Sequence, residues 1–275
     1  TSSPAPKPRP PEATTPPGPA PYPVPPLPAP NRPTTGSVGP VLGLPETVTV
    51  ALFDLDGVLT STAVLHRSAW KRAFDAYLRE RDPDGFAEFT AQDYLDYVDG
   101  RPRTDGVRTF LASRGITADE ATVEEIGTGK NEMFVAALAS EGVTPYPGSV
   151  RYLEAAREAG LRIAVVTSSK NGEAVLEAAD LTKYVEIRVD GLDVAARGLN
   201  GKPAPDSFLL GAELMGVPPA HAAVFEDAIS GVTAAAAGDF GYVVAIDRHD
   251  GEQTDAMRAA GASIVVADLD ELVPA

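Results

Sequence analysis

Two carboxylates with the spacing to share one site follow the first apolar run of the chain. The run from Val48 to Phe53 leads into FDLDGVLTST, which places Asp54 and Asp56 just beyond it. In an extended chain alternate side chains point the same way, so these carboxylates would face one site about 7 Å apart. Two like charges in one site are costly unless a cation joins them, and hard oxygen ligands favour Mg²⁺. A calcium loop of the EF-hand type is excluded, because its twelfth position requires Glu and is Leu65 here.

Three later segments carry side chains of the types that bind phosphate or metal. The apolar run from Leu161 to Thr167 leads into the turn TSSKN, which suits phosphate oxygens where it opens a helix. Lys202 stands in GKPAPD, before a helix whose start is set by two prolines. The run from Ala222 to Phe225 leads into the acidic pair Glu226 and Asp227. Four such groups, each after an apolar run or before a helix, favour one shared site over four unrelated surface features.

The apolar runs alternate with helical patterns, which is typical of a parallel sheet covered by helices. Five buried strands are predicted, over Val48–Phe53, Leu161–Thr167, Ala222–Phe225, Gly241–Ile246 and Ser263–Val266. Helices are predicted between them, over Ser149–Ala159, Gly172–Ala179, Asp206–Met215 and Ile229–Ala237. We therefore expect an α/β fold with a doubly wound, Rossmann-like parallel sheet, whose carboxyl edge holds the polar groups.

A block of about 80 residues interrupts this rhythm, which is too long for a loop and predicts an inserted helical domain. Its predicted helices are Ser68–Arg81, Ala91–Val98, Gly106–Ser113 and Val123–Ser140. We expect the core to comprise residues 47–63 and 147–275, and the helical domain residues 64–146. Hinges are expected near Thr62–Leu65 and Tyr146–Gly148.

The amino-terminal segment has a different composition, with 17 of the 26 prolines before Glu46. Such a segment buries too little apolar surface to fold, so residues 1–46 are predicted to be a disordered, polyproline-type tail. An alternative is a docking ligand for a proline-recognition domain. No apolar region follows a basic one as in a signal peptide, and no apolar run reaches 18 residues, so we predict neither a signal peptide nor a membrane span.

Charge and cysteine content exclude several classes of protein. Lys and Arg total 23 against 39 Asp and Glu, a formal net charge of −16, which argues against nucleic-acid or anionic-membrane partners. The absence of cysteine excludes disulfides, thiolate metal sites and a cysteine nucleophile.

The motifs DLDGVLT, VVTSSKN, GKPAPD and FEDAISGV, in this order, resemble the signature of the haloacid dehalogenase superfamily of aspartyl phosphotransferases. The resemblance runs from Val48 to the end of the chain, and the helical block resembles the helical cap of that family. Within it, the chain is most similar to the β-phosphoglucomutases and the related sugar-phosphate phosphatases. The resemblance implies a cytoplasmic, monomeric enzyme that acts on a small sugar phosphate.

The resemblance also implies roles for the motif residues. Asp54 would be the nucleophile that forms an aspartyl-phosphate, and Asp56 the general acid and base. Thr167 and Lys202 would hold the transferring phosphoryl group. Mg²⁺ would be held by the following groups: Asp54, the main-chain carbonyl of Asp56, Glu226 and chiefly Asp227.

Whether a sugar or water accepts the phosphoryl group is left open by the sequence. The resemblance places His66 where a histidine couples cap closure to the acid and base. It places Ser168, Lys170 and Asn171 in the turn that contacts the distal phosphate, and Arg103 where the family has a phosphate-binding arginine. These features favour a β-phosphoglucomutase.

One position departs from the mutase pattern, because Asp99 replaces the lysine that precedes Gly100 in the loop governing specificity. An acid there would repel a phosphate unless Arg101 compensates. A sugar-phosphate phosphatase is therefore the alternative, and a non-catalytic binding or regulatory protein is a more distant one.

Two weaker candidates are interpreted as structural. GTGKN, at residues 127–131, lacks the first glycine and the Ser or Thr of a phosphate-binding loop and lies in a helical stretch. Trp70, Phe74 and Tyr77 fall at helical spacing and are predicted to pack inside the helical block.

Overall fold

The computed structural model describes residues 42–274, in which six parallel strands form one sheet of order β3-β2-β1-β4-β5-β6. The strands are β1 Val50–Phe53, β2 Arg162–Val166, β3 Ile187–Val189, β4 Ala222–Glu226, β5 Tyr242–Ile246 and β6 Ile264–Val266. β1 is fully buried and pairs in parallel with β2 on one side and β4 on the other. The continuous apolar runs are therefore explained by strands that are covered on both faces.

Helices cover both faces of this sheet. They are α5 Pro147–Glu158, α6 Gly172–Ala178, α7 Gly191–Arg197, α8 Asp206–Leu214, α9 Ile229–Ala237 and α10 Thr254–Ala259. Ala51 and Phe53 of β1 pack in one apolar cluster with α5 and α6, whereas Val50 and Leu52 pack in a second cluster with α8 and α9. The doubly wound α/β fold predicted from the sequence is confirmed.

Four helices lie between β1 and α5, as the sequence predicts. They are α1 Ala63–Arg81, α2 Ala91–Tyr97, α3 Arg103–Ser113 and α4 Glu120–Glu141. They enclose a separate apolar cluster, in which Phe74 lies 5.0 Å from Trp70 and 4.3 Å from Phe110 between ring centroids. We call residues 63–141 the helical cap.

The two chain segments that join the cap to the core are hydrogen-bonded to each other. Ser61 donates its N–H to Thr144 over 3.0 Å, and Tyr146 donates its N–H to Leu59 over 3.0 Å. The paired connection therefore involves residues 59–61 and 144–146. Residues 63–65 form the first turn of α1, although the sequence predicts a hinge there.

Among the strands and α-helices of residues 42–274, three short elements were not predicted from the sequence. β3 has three residues with Arg188 at its centre, and two of the three are only partly buried, so it presents no apolar run. α7 and α10 have seven and six residues, too few to show a helical period clearly. Val48 and Thr49, predicted as strand, precede β1.

The prediction of a disordered tail for residues 1–41 falls outside the described residues. Leu42 and Leu44, which the same prediction included, are buried in the core at 2% and 5% exposure. The Tyr152 hydroxyl donates a hydrogen bond to the Leu42 carbonyl over 3.1 Å. Among residues 42–274, no helix combines the length and apolar character needed to cross a membrane.

Candidate active site

Lys202 is buried between two carboxylates at the carboxyl edge of the sheet. Its Nζ lies 2.5 Å from Asp54 Oδ1 and 2.7 Å from Glu226 Oε1, and it donates to the Val166 carbonyl over 3.2 Å. These groups come from the ends of β1, β2 and β4, which are neighbours in the sheet. Burial opposes the charged form of Lys202, but Asp54 and Glu226 outweigh it and raise the pKa of the lysine.

Glu226 and Asp227 have different surroundings although they are adjacent in sequence. Glu226 is fully buried, and both its oxygens are engaged, one with Lys202 and the other with the N–H of Ala228 over 2.9 Å. Asp227 lines the cavity above the sheet edge. A Cβ on Gly57, whose φ is +93°, would overlap the Asp227 carboxylate, so this position requires glycine for both its conformation and its space.

The buried carboxylates carry more negative charge than Lys202 balances. Burial, together with neighbouring carboxylates, raises the pKa of Asp54 to about 8, even though Lys202 acts in the opposite direction. Burial and the nearby Asp99 raise the pKa of Asp227 well above its ordinary value. A divalent cation would relieve this excess charge, and the donor atoms are oxygens, as Mg²⁺ prefers.

The side chains alone do not form a complete cage for such an ion. In the described part of the chain, no group of three or more Asp, Glu or His side chains has the arrangement of a metal site. A bound Mg²⁺ would therefore need main-chain, water or phosphate oxygens in addition to carboxylates, which is the usual coordination of this ion. The residues present fit Mg²⁺ under that condition.

Asp56 accepts hydrogen bonds that favour its ionised form. The Thr62 hydroxyl donates to Asp56 Oδ1 over 2.5 Å, and the Thr167 hydroxyl lies 3.4 Å from Oδ2. His66 Nε2 is 3.4 Å from Oδ1. Burial would raise the pKa of Asp56, but His66, Thr62 and Lys130 together outweigh it and lower that pKa to about 2.

Lys130 of α4 extends this chain of contacts into the cap. Its Nζ lies 2.6 Å from His66 Nδ1 and 4.9 Å above the ring centroid of Trp70. Burial lowers the pKa of Lys130 to about 7, although Asp56 acts to raise it. Burial, reinforced by Lys130, also lowers the pKa of His66. His66 therefore lies between a cap lysine and the carboxylate of Asp56.

Asn131 connects the cap to the turn after β2. Its Oδ1 accepts hydrogen bonds from Arg103 over 2.7 Å and from Asn171 Nδ2 over 2.9 Å. Arg103 and Lys170 line the same cavity. Arg103, Asn131 and Asn171 thus lie together, and with Lys170 they give the cavity lining two cations and two amides, which suits a second anionic group.

The loop between α2 and α3 covers the site. The Ser168 hydroxyl donates to the Gly100 carbonyl over 2.7 Å, so this proton is engaged within the protein and is not directed to a phosphate. Desolvation raises the pKa of Asp99 to about 7, although a hydrogen bond from Tyr94 acts to lower it. Arg101, the expected compensating charge, also lines the cavity.

The structure brings most of the predicted site residues to one cavity of about 60 Å³. The predicted residues that line it are Asp54, Asp56, His66, Arg103, Thr167, Ser168, Lys170, Asn171 and Asp227. Lys202 and Glu226 lie behind Asp54 instead of on the cavity wall.

Sequence reasoning missed several lining residues. They are Trp70, Tyr94, Val98, Lys130 and Asn131. Lys130 and Asn131 belong to GTGKN, which was interpreted as structural, and Trp70 was interpreted as packing only. A signal was available, because Ile126, Lys130 and Phe134 recur every four residues on the buried face of α4, where an unpaired lysine is unusual.

Comparison with known proteins agrees with this geometry. The sequence pattern of the haloacid dehalogenase-like hydrolases matches residues 48–239, and the chain belongs to this family. It is 50% identical over 258 residues to the β-phosphoglucomutase of Mycobacterium tuberculosis, covering 89% of this chain and 98% of the relative. It is 30% identical to a phosphorylated carbohydrates phosphatase of Thermotoga maritima, covering 67% and 78%.

Solved structures resemble the chain over most of its length. The structure of CbbY from Rhodobacter sphaeroides in complex with phosphate superposes with a TM-score of 0.63 at 27% identity, covering 82% of this chain and 96% of that one. A β-phosphoglucomutase from Clostridium difficile shares the fold, with a TM-score of 0.67 at 23% identity, covering 82% and 93%. The chain is an enzyme of the phosphotransferase or phosphatase type.

Proposed function

We propose that this enzyme is a Mg²⁺-dependent β-phosphoglucomutase. It converts β-glucose 1-phosphate to glucose 6-phosphate through glucose 1,6-bisphosphate, with the phosphoryl group carried on Asp54. The observation that carries the proposal is the arrangement of Asp54 against buried Lys202, with an ionised Asp56 facing the same cavity. The mycobacterial relative supports the choice of substrate.

The first transfer starts from the phosphorylated enzyme. The hydroxyl oxygen at C6 of β-glucose 1-phosphate attacks the phosphorus on Asp54, the bond from phosphorus to the carboxylate breaks, and glucose 1,6-bisphosphate forms. Asp56 accepts the proton that the hydroxyl loses. Its low pKa keeps the carboxylate ionised before the acceptor arrives.

The second transfer reverses these roles after the bisphosphate has turned round. Asp54 attacks the phosphorus at C1, the bond from phosphorus to the C1 oxygen breaks, and Asp56 returns its proton to that oxygen. Glucose 6-phosphate leaves, and the phosphorylated enzyme is restored. Over one cycle Asp56 takes up and returns one proton, and Asp54 gives up and regains one phosphoryl group.

The charge on the transferring group is balanced by the residues around Asp54. Lys202 lies against the nucleophile, and Thr167 faces Asp56 from the turn after β2. We propose that Asp54, the main-chain carbonyl of Asp56 and Asp227 hold Mg²⁺, which when bound neutralises phosphoryl oxygens. Since both oxygens of Glu226 are engaged, we propose that Glu226 positions Lys202 and does not bind the metal directly.

We propose that Arg103, Lys170 and Asn171 bind the second phosphate, because all three line the cavity and Asn131 joins Arg103 to Asn171. Asp99 interferes less than its replacement of lysine suggests, since burial raises its pKa to about 7 and leaves it partly protonated near neutral pH. His66 contacts both Asp56 of the core and Lys130 of the cap. Proton transfer by Asp56 would therefore depend on the cap being docked on the core.

A sugar-phosphate phosphatase is the second candidate, favoured by the acid at position 99 and by the phosphatase of Thermotoga maritima. Phosphorus NMR of the full chain with Mg²⁺, β-glucose 1-phosphate and a trace of glucose 1,6-bisphosphate separates the two. The mutase gives glucose 6-phosphate with little free phosphate, and Asp54→Ala abolishes the conversion. Stoichiometric release of inorganic phosphate would overturn the mutase proposal and support the phosphatase.

A further inference from the structure

The loop between α2 and α3, residues 98–102, is attached to the core by two serine hydroxyls. Ser168 Oγ donates to the Gly100 carbonyl over 2.7 Å, and Ser230 Oγ donates to the Asp99 carbonyl over 2.8 Å. Both acceptors are main-chain oxygens of consecutive residues. The attachment therefore fixes the backbone of the loop.

The two serines lie on opposite sides of the strand that carries the nucleophile. Ser168 follows β2, and Ser230 lies in the first turn of α9, which follows β4. β2 and β4 are the two neighbours of β1 in the sheet. A loop held at both points passes over the carboxyl end of β1, where Asp54 and Asp56 stand.

Close packing accompanies these hydrogen bonds. A Cβ on Gly100, whose φ is +69°, would overlap Ser230 Oγ and come within 2.8 Å of Ala228 Cβ. A Cβ on Gly201 would overlap the ring of Pro102, the last residue of the loop. The loop and the core thus approach closely at the middle of the loop and at its carboxyl-terminal residue.

Docking the loop also brings an acid to an acidic site. Asp99 lines the same cavity as Asp54, Asp56 and Asp227, so the docked loop adds a fourth carboxyl group to this cavity. Because docking gathers carboxyl groups instead of opposite charges, neutral hydrogen bonds and packing are the contacts that favour it. The two serine hydroxyls supply such bonds.

We propose that Ser168 and Ser230 are positioning residues that clamp the loop 98–102 over Asp54 and thereby limit transfer of its phosphoryl group to water. The consequence for product choice rests on the proposed mutase function, whereas the clamp itself does not. From the ordinary contribution of a hydrogen bond, loss of either hydroxyl lowers the ratio of docked to undocked loop about fivefold. Loss of both lowers it roughly 25-fold where the effects add.

The test uses Ser168→Ala, Ser230→Ala and the double variant in the full chain with Mg²⁺. The matched control is Ser113→Ala, because Ser113 Oγ donates to the Phe110 carbonyl over 2.7 Å within the cap. Gly100→Ala is a second way to disturb docking, since it keeps both hydroxyls and adds an atom between loop and core. Thermal unfolding of each variant verifies that it is folded.

The first readout is hydrogen–deuterium exchange of peptides that contain residues 98–102, which requires no turnover. We expect faster exchange there in both single variants, faster still in the double variant, and no change in Ser113→Ala. Exchange equal to wild type in the folded double variant would overturn the clamp, whatever reaction the enzyme catalyses.

The second readout is the ratio of inorganic phosphate to glucose 6-phosphate, measured by phosphorus NMR. We expect this ratio to rise with the exchange rate across the three serine variants and Gly100→Ala. Faster exchange with an unchanged ratio would overturn the role in excluding water. A wild-type enzyme that forms only inorganic phosphate would contradict the mutase function, while the exchange experiment still decides the clamp.

Discussion

Asp56 and Lys130, at the two ends of one chain of contacts through His66, respond differently to the same burial. Burial disfavours charge on both, but Asp56 also receives hydrogen bonds and faces positive neighbours, so its pKa falls to about 2. Lys130 is near the positive Arg103, and Asp56 compensates only in part, so its pKa falls to about 7. The site thus contains an ionised base next to a lysine that titrates near neutrality.

The lowered pKa of Lys130 makes the stability of the protein depend on pH. Between the folded-state pKa of about 7 and the ordinary lysine pKa of 10.5, the unfolded chain binds more protons, so the free energy of unfolding rises with pH. From about pH 7.5 to pH 9.5 we expect wild type to gain about 2 kcal/mol relative to Lys130→Met. Denaturant unfolding at several pH values measures this, with exposed Lys71→Met as control. A parallel pH dependence of wild type and Lys130→Met would contradict the buried, destabilised charge.

Loss of the base should lower kcat and leave the protein folded. Asp56→Asn keeps the shape of the side chain but cannot accept the proton, so we expect kcat to fall about 10³-fold. The exposed Asp255→Asn is the control. Steady-state kinetics with matched melting temperatures check the prediction, and a loss below tenfold would show that another group moves the proton.

At the scale of elements, the turn after β1 determines where Asp227 lies. Gly57→Ala would place a methyl group on the Asp227 carboxylate at a φ of +93°. We expect a loss of about 1–3 kcal/mol in stability from backbone strain. Because the Asp227 carboxylate is displaced, we also expect at least a hundredfold loss of activity and weaker binding of Mg²⁺. Gly115→Ala is the matched control, since its φ is +68° and a Cβ there meets nothing within 4 Å. Equal activity losses in the two variants would show that strain alone is responsible.

Elements with long local signals were predictable, and contacts between distant elements were not. β1, β2, β4 and the motif residues Asp54, Thr167 and Lys202 follow from continuous apolar runs and short motifs. The pairing of Glu226 with Lys202 depends on the order of strands in the sheet, which sequence spacing does not state. Lys130 reaches His66 from 64 residues away, so only the packing of α4 on α1 reveals its place in the site.

For the whole molecule, truncation measures how much residues 42–45 contribute to stability. All candidate site residues lie between Asp54 and Asp227, so a chain beginning at residue 41 should keep wild-type kcat. A chain beginning at residue 46 loses buried Leu42 and Leu44, and we expect its unfolding free energy to fall by about 3–6 kcal/mol. Unfolding curves and kcat for both chains test this. Equal stability of the two chains would contradict the packing of residues 42–44.

That the enzyme is a cytoplasmic monomer stays a prediction.

The central claim, that Asp54 carries the phosphoryl group between sugars, is tested most directly by trapping the labelled enzyme. The full chain is mixed with Mg²⁺ and ³²P-labelled glucose 1,6-bisphosphate, quenched in denaturant and digested. We predict label on the peptide that contains Asp54, and transfer of that label to unlabelled β-glucose 1-phosphate when it is added before quenching. Label on another residue, or turnover without labelling, would contradict the account.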